Sequence, residues 1–377
     1  MKKDIRILHL ISGDLWAGAE VQAYTLIRQL SRTPKLEVAA LVMNPGTLAD
    51  KLRALGIRVE VVDETRLNPG KIILRLFRLI EDWKPDVIHT HRDKESILGL
   101  IANRLSRNVP SVRTIHGIEE HPLTIGRRGF RRWLVTKGDQ CVGRLSGQAI
   151  IAVSAALESE LTRRFSQKRV VVIENGVDID GLREQVSTSV NQRHNSGVTR
   201  IGIVGRLVPV KRVDLFLKMA ALLHQEHPDR AWAFDVVGDG PERAKLGALC
   251  DQLGISSVVT FHGHRQDAAQ CLARLDVLVM CSDHEGMPMV ALEATALAVP
   301  LVAHAVGGLN EVVPREFQVT RHDPVGYRDG VLRALVADSR EITSAHATNS
   351  LARFSAQRNA ERTLALYRKL MLRDAKA

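Results

Sequence analysis

Glu285 and Glu293 stand on the spacing E-x7-E in the stretch CSDHEGMPMVALEATALAVP. The first lies in a loop that Gly286 leaves open to close backbone approach. The second lies in a run, MVALEATALA, that is otherwise apolar. A carboxylate on an apolar helix needs a partner, because an unpaired buried charge is costly, and ribose hydroxyls would be suitable donors. Gly286, Met287 and Pro288 lead into that helix, and Pro288 suits its first turn, where free amides would attract a diphosphate. A second group follows the apolar run RIGIV: Gly205, Arg206 and Leu207, with Lys211 just beyond. Arginine and lysine beside a glycine could neutralise the same diphosphate.

Near the start, LHLISGDLWAGAE runs from an apolar strand into a loop with Gly13 and Gly18. G-x-x-x-x-G is most of a phosphate-binding loop, but Ala19 and Glu20 stand where lysine and Ser/Thr should follow. A phosphate on this turn would need its counter-charge from elsewhere in the chain.

The elements that must position these residues follow one rhythm. Runs such as IRILHLI, LEVAALVM and PDVIHTH alternate with helical patterns such as AEVQAYTLIRQLSR, and the rhythm restarts with RIGIVGR, AWAFDVVGDG, VVTFHG, DVLVMCS and VPLVAHA. Strands apolar on both faces and separated by helices mean parallel sheets of βαβ units. The polar stretch REQVSTSVNQRHNSG has no apolar period and reads as a linker. The expected division is therefore an α/β chain with a first domain over 1–182, a linker over 183–198, a second domain over 199–355, and a terminal helix over 356–377 packing back on the first.

Length agrees, since 377 residues exceed what one hydrophobic core organises. Cys141, Cys250, Cys271 and Cys281 show no C-x-x-C spacing and read as free thiols of a reducing compartment. MKKDIRILHLISG is interrupted by Arg6 and His9, so it reads as a strand rather than a signal peptide. No apolar run reaches the length of a membrane span. The expected location is cytoplasmic, with any membrane contact peripheral. A net charge of +11 favours anionic partners, and GRRGFRRWLVTK (126–137) concentrates it beside apolar residues, a pattern suited to an anionic membrane surface. Aromatic residues, at 4%, are too few for the stacking platforms of single-stranded nucleic-acid binders, so no nucleic-acid partner is expected.

EGMPMVALEA resembles the signature of the retaining glycosyltransferases of family four, which have the GT-B fold of two facing Rossmann-like domains with a cleft between them. Similar to that family as well are Gly205-Arg206-Leu207 with Lys211, the G-x-G-P at Gly238 to Pro241, the N-G-V-D at Asn175 to Asp178, the glycine loop with Gly18 and Glu20, and His116 after a first-domain strand. The resemblance covers nearly the whole chain in order. It implies transfer of a sugar from a nucleotide diphosphate donor of UDP or GDP type to an acceptor hydroxyl, with the first domain holding the acceptor. Glu285 would hold hydroxyls of the transferred sugar, Glu293 the ribose, and Arg206 and Lys211 the diphosphate. Gly18 would let backbone approach the diphosphate from the other domain, and His116 would contact the donor sugar or its phosphate.

Ala17 replaces one of the two adjacent glycines usual in the family, and the segment after Glu311 lacks its Gly-rich turn. The second departure bears on the base-binding rim. With no D-x-D or His/Cys ligand set beside Arg206 and Lys211, no metal cofactor is expected. The acceptor implied is a cell-envelope glycan or lipid-linked saccharide. A nucleotide-sugar epimerase of the same fold is the nearest alternative. A nicotinamide dehydrogenase is disfavoured, because GDGPER has Arg243 where the third glycine belongs.

Overall fold

The computed structural model describes residues 4–117, 148–165, 169–190, 197–336 and 339–374. Segment 126–137, Cys141 and linker residues 191–196 lie outside the described residues. The chain divides into two compact units, Met1–Gly176 with Ala356–Ala377, and Val177–Ser355. The expected linker start at 183 is corrected: Ile179–Val190 is a helix, counted with the second unit. Leu182 and Val186, four residues apart, turn inward on it and are buried.

The first unit is built on seven strands: β1 (Ile5–Ile11), β2 (Leu36–Val42), β3 (Arg58–Val61), β4 (Val87–Thr90), β5 (Ser111–Ile115), β6 (Ala149–Ala152) and β7 (Val170–Val172). They form one parallel sheet in the order β3-β2-β1-β4-β5-β6-β7. Helices cover both faces, so the inner strands are largely buried and mostly apolar, with His9, His89 and Arg113 as buried exceptions. On one face Ile72, Leu76, Leu79, Ile80 and Trp83 of Pro69–Trp83 pack against Leu8, Leu10 and Ile88. That helix is framed by its sequence. Asn68 Oδ1 accepts from Lys71 N at 2.9 Å, Pro69 sits in the first turn, and Lys84 ends it in the left-handed region at φ +54°. On the other face Leu364, Leu366 and Tyr367 of the helix Ala356–Asp374 join Ile7, Leu26, Leu30 and Val112, so the returning helix packs on the first unit.

The second unit has six strands: β8 (Thr199–Val204), β9 (Trp232–Val237), β10 (Val259–Gly263), β11 (Val277–Met280), β12 (Leu301–His304) and β13 (Gln318–Val319). Their order is β10-β9-β8-β11-β12-β13, again all parallel. The two ends of this unit are tied where Val177 N donates to Phe354 O at 2.9 Å. Each sheet reverses its winding once, between β1 and β4 in the first unit and between β8 and β11 in the second. Both units are therefore Rossmann-like, and in each the crevice at that reversal is the expected place for a ligand.

Candidate functional site

At the reversal of the second unit, the segments after β8 and β11 are Gly205 to Lys211 and Ser282 to Pro288. Gly205, Arg206, Lys211, Met280 and Ser282 line one small pocket there. Lys211 Nζ donates to Glu285 Oε1 at 2.5 Å, and Ser282 Oγ donates to the same oxygen at 2.6 Å. Glu285 is 9% exposed and Lys211 26%, so the pair is largely withdrawn from solvent but open on the lysine side. Arg206 is exposed, and its side chain has no hydrogen-bond or ion-pair partner among the described residues; its carbonyl accepts from Val208 N at 3.0 Å.

Four glycines build this geometry. A Cβ on Gly238 would stand 1.8 Å from Gly205 O, and one on Gly240 would stand 2.4 Å from Leu207 O, so G-x-G lets the loop after β9 lie directly against the Gly205–Leu207 turn. Leu207 N donates to Asp239 O at 2.9 Å, and Asp239 Oδ1 accepts from Gly240 N at 2.7 Å, the local role of a turn aspartate. After β12, Gly307 has φ +53°, and a Cβ there would lie 1.7 Å from Glu285 O. Gly308 N donates to Gly286 O at 2.6 Å. The loop carrying Glu285 thus rests on backbone with no side chain between.

Met287 is buried against Gly308, which leaves its backbone rather than its side chain for a ligand. The expectation for Pro288 is corrected by one position. The helix is Met289–Ala296, and Pro288 precedes it in extended backbone (φ −71°, ψ 129°), its carbonyl accepting from Ala291 N at 3.1 Å. Glu293, one turn in, has neighbours packed on most sides but stays open to solvent in one direction. Burial pushes its carboxyl up to about 7, and it has no side-chain partner among the described residues.

A polar network behind the Glu285 loop escaped the sequence reading. Asp283 Oδ1 accepts from Arg212 Nη1 at 3.3 Å and lies 2.9 Å from His322 Nε2, while His322 Nδ1 lies 2.8 Å from Tyr327 Oη. The rings of His304 and His322 stack at 4.1 Å. The segment after Glu311, without the family's Gly-rich turn, therefore delivers His322 to the loop. Asp323 Oδ1, accepting from Gly326 N at 2.9 Å, starts the next helix, Pro324–Ala334. With Asp283 standing 71 positions from Arg212 and 39 from His322, no spacing could have announced the contacts.

Gly18 and His116 belong to the first unit. Gly18 opens the helix Gly18–Ser31, and a Cβ there would meet nothing within 4 Å, whereas one on Gly13 (φ +72°) would strike Val42 Cγ1 at 2.3 Å. Gly13 is required by the turn; Gly18 is not required by its own unit. His116 stacks on His91 at 5.7 Å, and His91 stacks on His89 at 4.4 Å. His9 Nδ1 lies 3.1 Å from His91 Nε2. Burial holds all four imidazoles below their ordinary range, His9 and His116 at about 3. Nitrogens of His9, His89 and His91 lie within 4.8 Å of one another, a metal-like grouping. His89, however, bonds Tyr367 Oη at 2.5 Å and Thr114 Oγ1 at 2.8 Å, so a metal would have to displace one of these. Among the described residues no helix is long and apolar enough to cross a membrane.

Two family models match the chain in succession, Glycosyltransferase Family 4 over residues 16–181 and Glycosyl transferases group 1 over residues 198–337. The UDP-Gal:alpha-D-GlcNAc-diphosphoundecaprenol alpha-1,3-galactosyltransferase of Escherichia coli is 27% identical over 326 residues, covering 83% of this chain and 82% of its own. The D-inositol 3-phosphate glycosyltransferase of Geodermatophilus obscurus is 31% identical over 303 residues, covering 75% of this chain and 66% of its own. Anabaena HepE, solved in complex with UDP-glucose, superposes with a TM-score of 0.79 at 21% identity, over 97% of this chain and 100% of that one. Both relatives are transferases, which disfavours the epimerase reading. With a doubly wound sheet in each half and the two halves matched in order, the chain belongs to the group 1 glycosyltransferases of family four and is a glycosyltransferase of the GT-B fold.

Proposed function

We propose that the enzyme moves a sugar, with retention of anomeric configuration, from a UDP- or GDP-type nucleotide sugar to a hydroxyl of a cell-envelope glycan or lipid-linked saccharide. The observation that carries this reading is the Lys211–Glu285–Ser282 cluster beside the exposed, unpaired Arg206 at the reversal of the second sheet. A diphosphate entering this crevice meets Arg206 and the ammonium of Lys211, and the free amides before Ala291 add to the field. Glu285, released by Lys211 toward the phosphate, is left with Ser282 and can accept sugar hydroxyls. Glu293 supplies a carboxyl for ribose hydroxyls. From the first unit, His116 would meet the donor sugar or its phosphate, and Gly18 would let backbone approach the phosphate.

In the reaction the glycosidic bond to phosphate breaks through an oxocarbenium-like state, and the acceptor oxygen bonds to the anomeric carbon on the face the diphosphate leaves. The departing phosphate takes the acceptor proton. Its developing charge falls on fixed protein cations, so turnover is expected without a metal ion. The named substrates of the two relatives, a lipid-linked saccharide and an inositol phosphate, support a hydroxyl acceptor. The enzyme works in the cytoplasm and meets anionic membrane through segment 126–137, as its basic and apolar residues suit.

The test is transfer from UDP-glucose, UDP-galactose and GDP-mannose to a synthetic lipid-linked N-acetylglucosamine, with and without EDTA. Formation of an α-glycoside unaffected by chelator is expected. An inverted product, free sugar or epimer alone, or activity lost in EDTA and restored by manganese, would overturn the corresponding part. Sedimentation with anionic vesicles no greater than with neutral ones would overturn the membrane part.

A further inference from the structure

The first sheet has its own reversal between β1 and β4, and the residues gathered at its carboxyl edge are Asp14 and Glu20 after β1, His91, Arg92 and Glu95 after β4, and His116 after β5. Apart from His116, the donor reading uses none of them. Glu20 is 0% exposed and Glu95 1%, yet each keeps an Oε2 without a partner. His91 Nδ1 and both ring nitrogens of His116 are likewise buried and unpartnered. Arg92 unites the group. Its Nη2 donates to Glu20 Oε1 at 2.5 Å and its Nη1 to Asp14 Oδ1 at 3.4 Å. Its charge also acts on Glu95, His91 and His116.

A buried polar atom left without a partner is costly, and several of them around one guanidinium mark a place where a ligand supplies what the chain does not. Glu95 also lies in the first turn of the helix Asp93–Leu105, where a carboxylate favours the helix start. Its carboxyl also accepts from its own backbone N–H, which leaves Oε2 unexplained.

We propose that Glu20, Arg92 and Glu95 form a subsite for the neutral hydroxyls of the acceptor sugar, with Glu95 setting its specificity. This rests on the transferase reading above and names the part of the acceptor that the first unit reads. The charges argue for hydroxyls over phosphate. Arg92 is taken by Glu20 and Asp14, Lys94 by Glu64, and Arg113 by Asp93, so an arriving phosphate would face more carboxyl groups than free cations. A hydroxyl both donates and accepts, which matches carboxyl oxygens and neutral imidazole nitrogens together. Burial pushes both carboxyls up to about 7, so each can offer a proton or receive one near neutrality.

The experiment measures binding to the UDP-loaded full chain of two probes, octyl N-acetylglucosaminide and inositol 3-phosphate, for the wild type and for Glu95→Gln and Glu95→Ala. The neutral glycoside should bind the wild type better than the phosphate. Both variants should weaken it about tenfold or more, the effect of losing a hydrogen bond to a charged group, with UDP affinity unchanged. Three results overturn the subsite: no glycoside binding to the wild type, a preference for the phosphate that depends on Glu95, or variants that melt lower while keeping glycoside affinity. Failure of the wild type to bind UDP would count against the donor reading alone.

Discussion

Arg206→Ala separates a phosphate-binding cation from a surface charge. Arg206 is exposed and its side chain pairs with nothing among the described residues, so its removal should change stability by less than about 0.5 kcal/mol, or roughly 1–2 °C in melting for a unit of this size. If it meets charge that develops on the leaving diphosphate, the same change should lower kcat/KM by about 10² to 10³, equivalent to roughly 3–4 kcal/mol. Lys211→Met supplies the contrast. It leaves Glu285, 9% exposed, with Ser282 as its remaining partner, so it should cost about 1–3 kcal/mol in stability as well as rate. The assay is steady-state transfer with the donor varied, alongside melting curves. Near-normal kcat/KM in Arg206→Ala with unchanged melting would mean that the diphosphate is not held there.

Gly307→Ala should displace the Glu285 loop, because its Cβ would lie 1.7 Å from Glu285 O at a φ of +53°; kcat should fall more than donor affinity, and a crystal structure of the variant with the loop unmoved would contradict this. Gly18→Val should leave the first unit's melting almost unchanged, since a Cβ there meets nothing within 4 Å, but should slow transfer if backbone must approach phosphate; wild-type turnover would refute the approach. Stability should fall on acidification below about pH 6.5. His9, His89, His91 and His116 are held neutral by burial with folded pKa values below 6.5, so unfolding takes up four protons, and that loss begins as pH falls through 6.5. All four belong to the first unit, where Glu20 and Glu95, raised to about 7, act oppositely between 4.5 and 7 and offset two of the four; Glu293, raised likewise, belongs to the second unit and leaves the first unit's melting untouched. A net uptake of about two protons gives up to ~2.7 kcal/mol per pH unit between roughly pH 5 and 6, and melting temperatures that do not drop from pH 6.5 to 5 would refute it.

The strands were legible because burial on both faces leaves unbroken apolar runs, as in VLVM of β11 and AIIA of β6. β13 was not, since two residues carry no period. The helix Ile179–Val190 was misread because Ser187, Thr188 and Ser189 masked the Leu182–Val186 spacing that buries it. At the site, Arg206, Lys211 and Glu285 announced themselves by following strands, and Glu293 by its place in an apolar helix, relations local in sequence. His322 on Asp283, Tyr367 on His89, and Arg92 on Glu20 could not, because sheet order rather than spacing brings them together. Gly307 closely follows β12, but what it makes room for, the carbonyl of Glu285, belongs to a different strand's loop.

The return of Ala356–Asp374 to the first unit sets an order on synthesis. Residues Val177–Ser355 form a continuous insert, closed on itself by the Val177–Phe354 bond, that can fold as soon as it emerges. The first unit cannot: Ile7, Leu26 and Val112 await Leu364 and Tyr367, and His89 awaits the tyrosine hydroxyl. At ~5–20 residues per second the insert alone takes roughly 10–40 s to make. For that interval the nascent first half stands with part of one face of its sheet uncovered, beside the helix Gly18–Ser31, an opportunity for chaperones and for aggregation that a plain two-domain chain folding in sequence would not present.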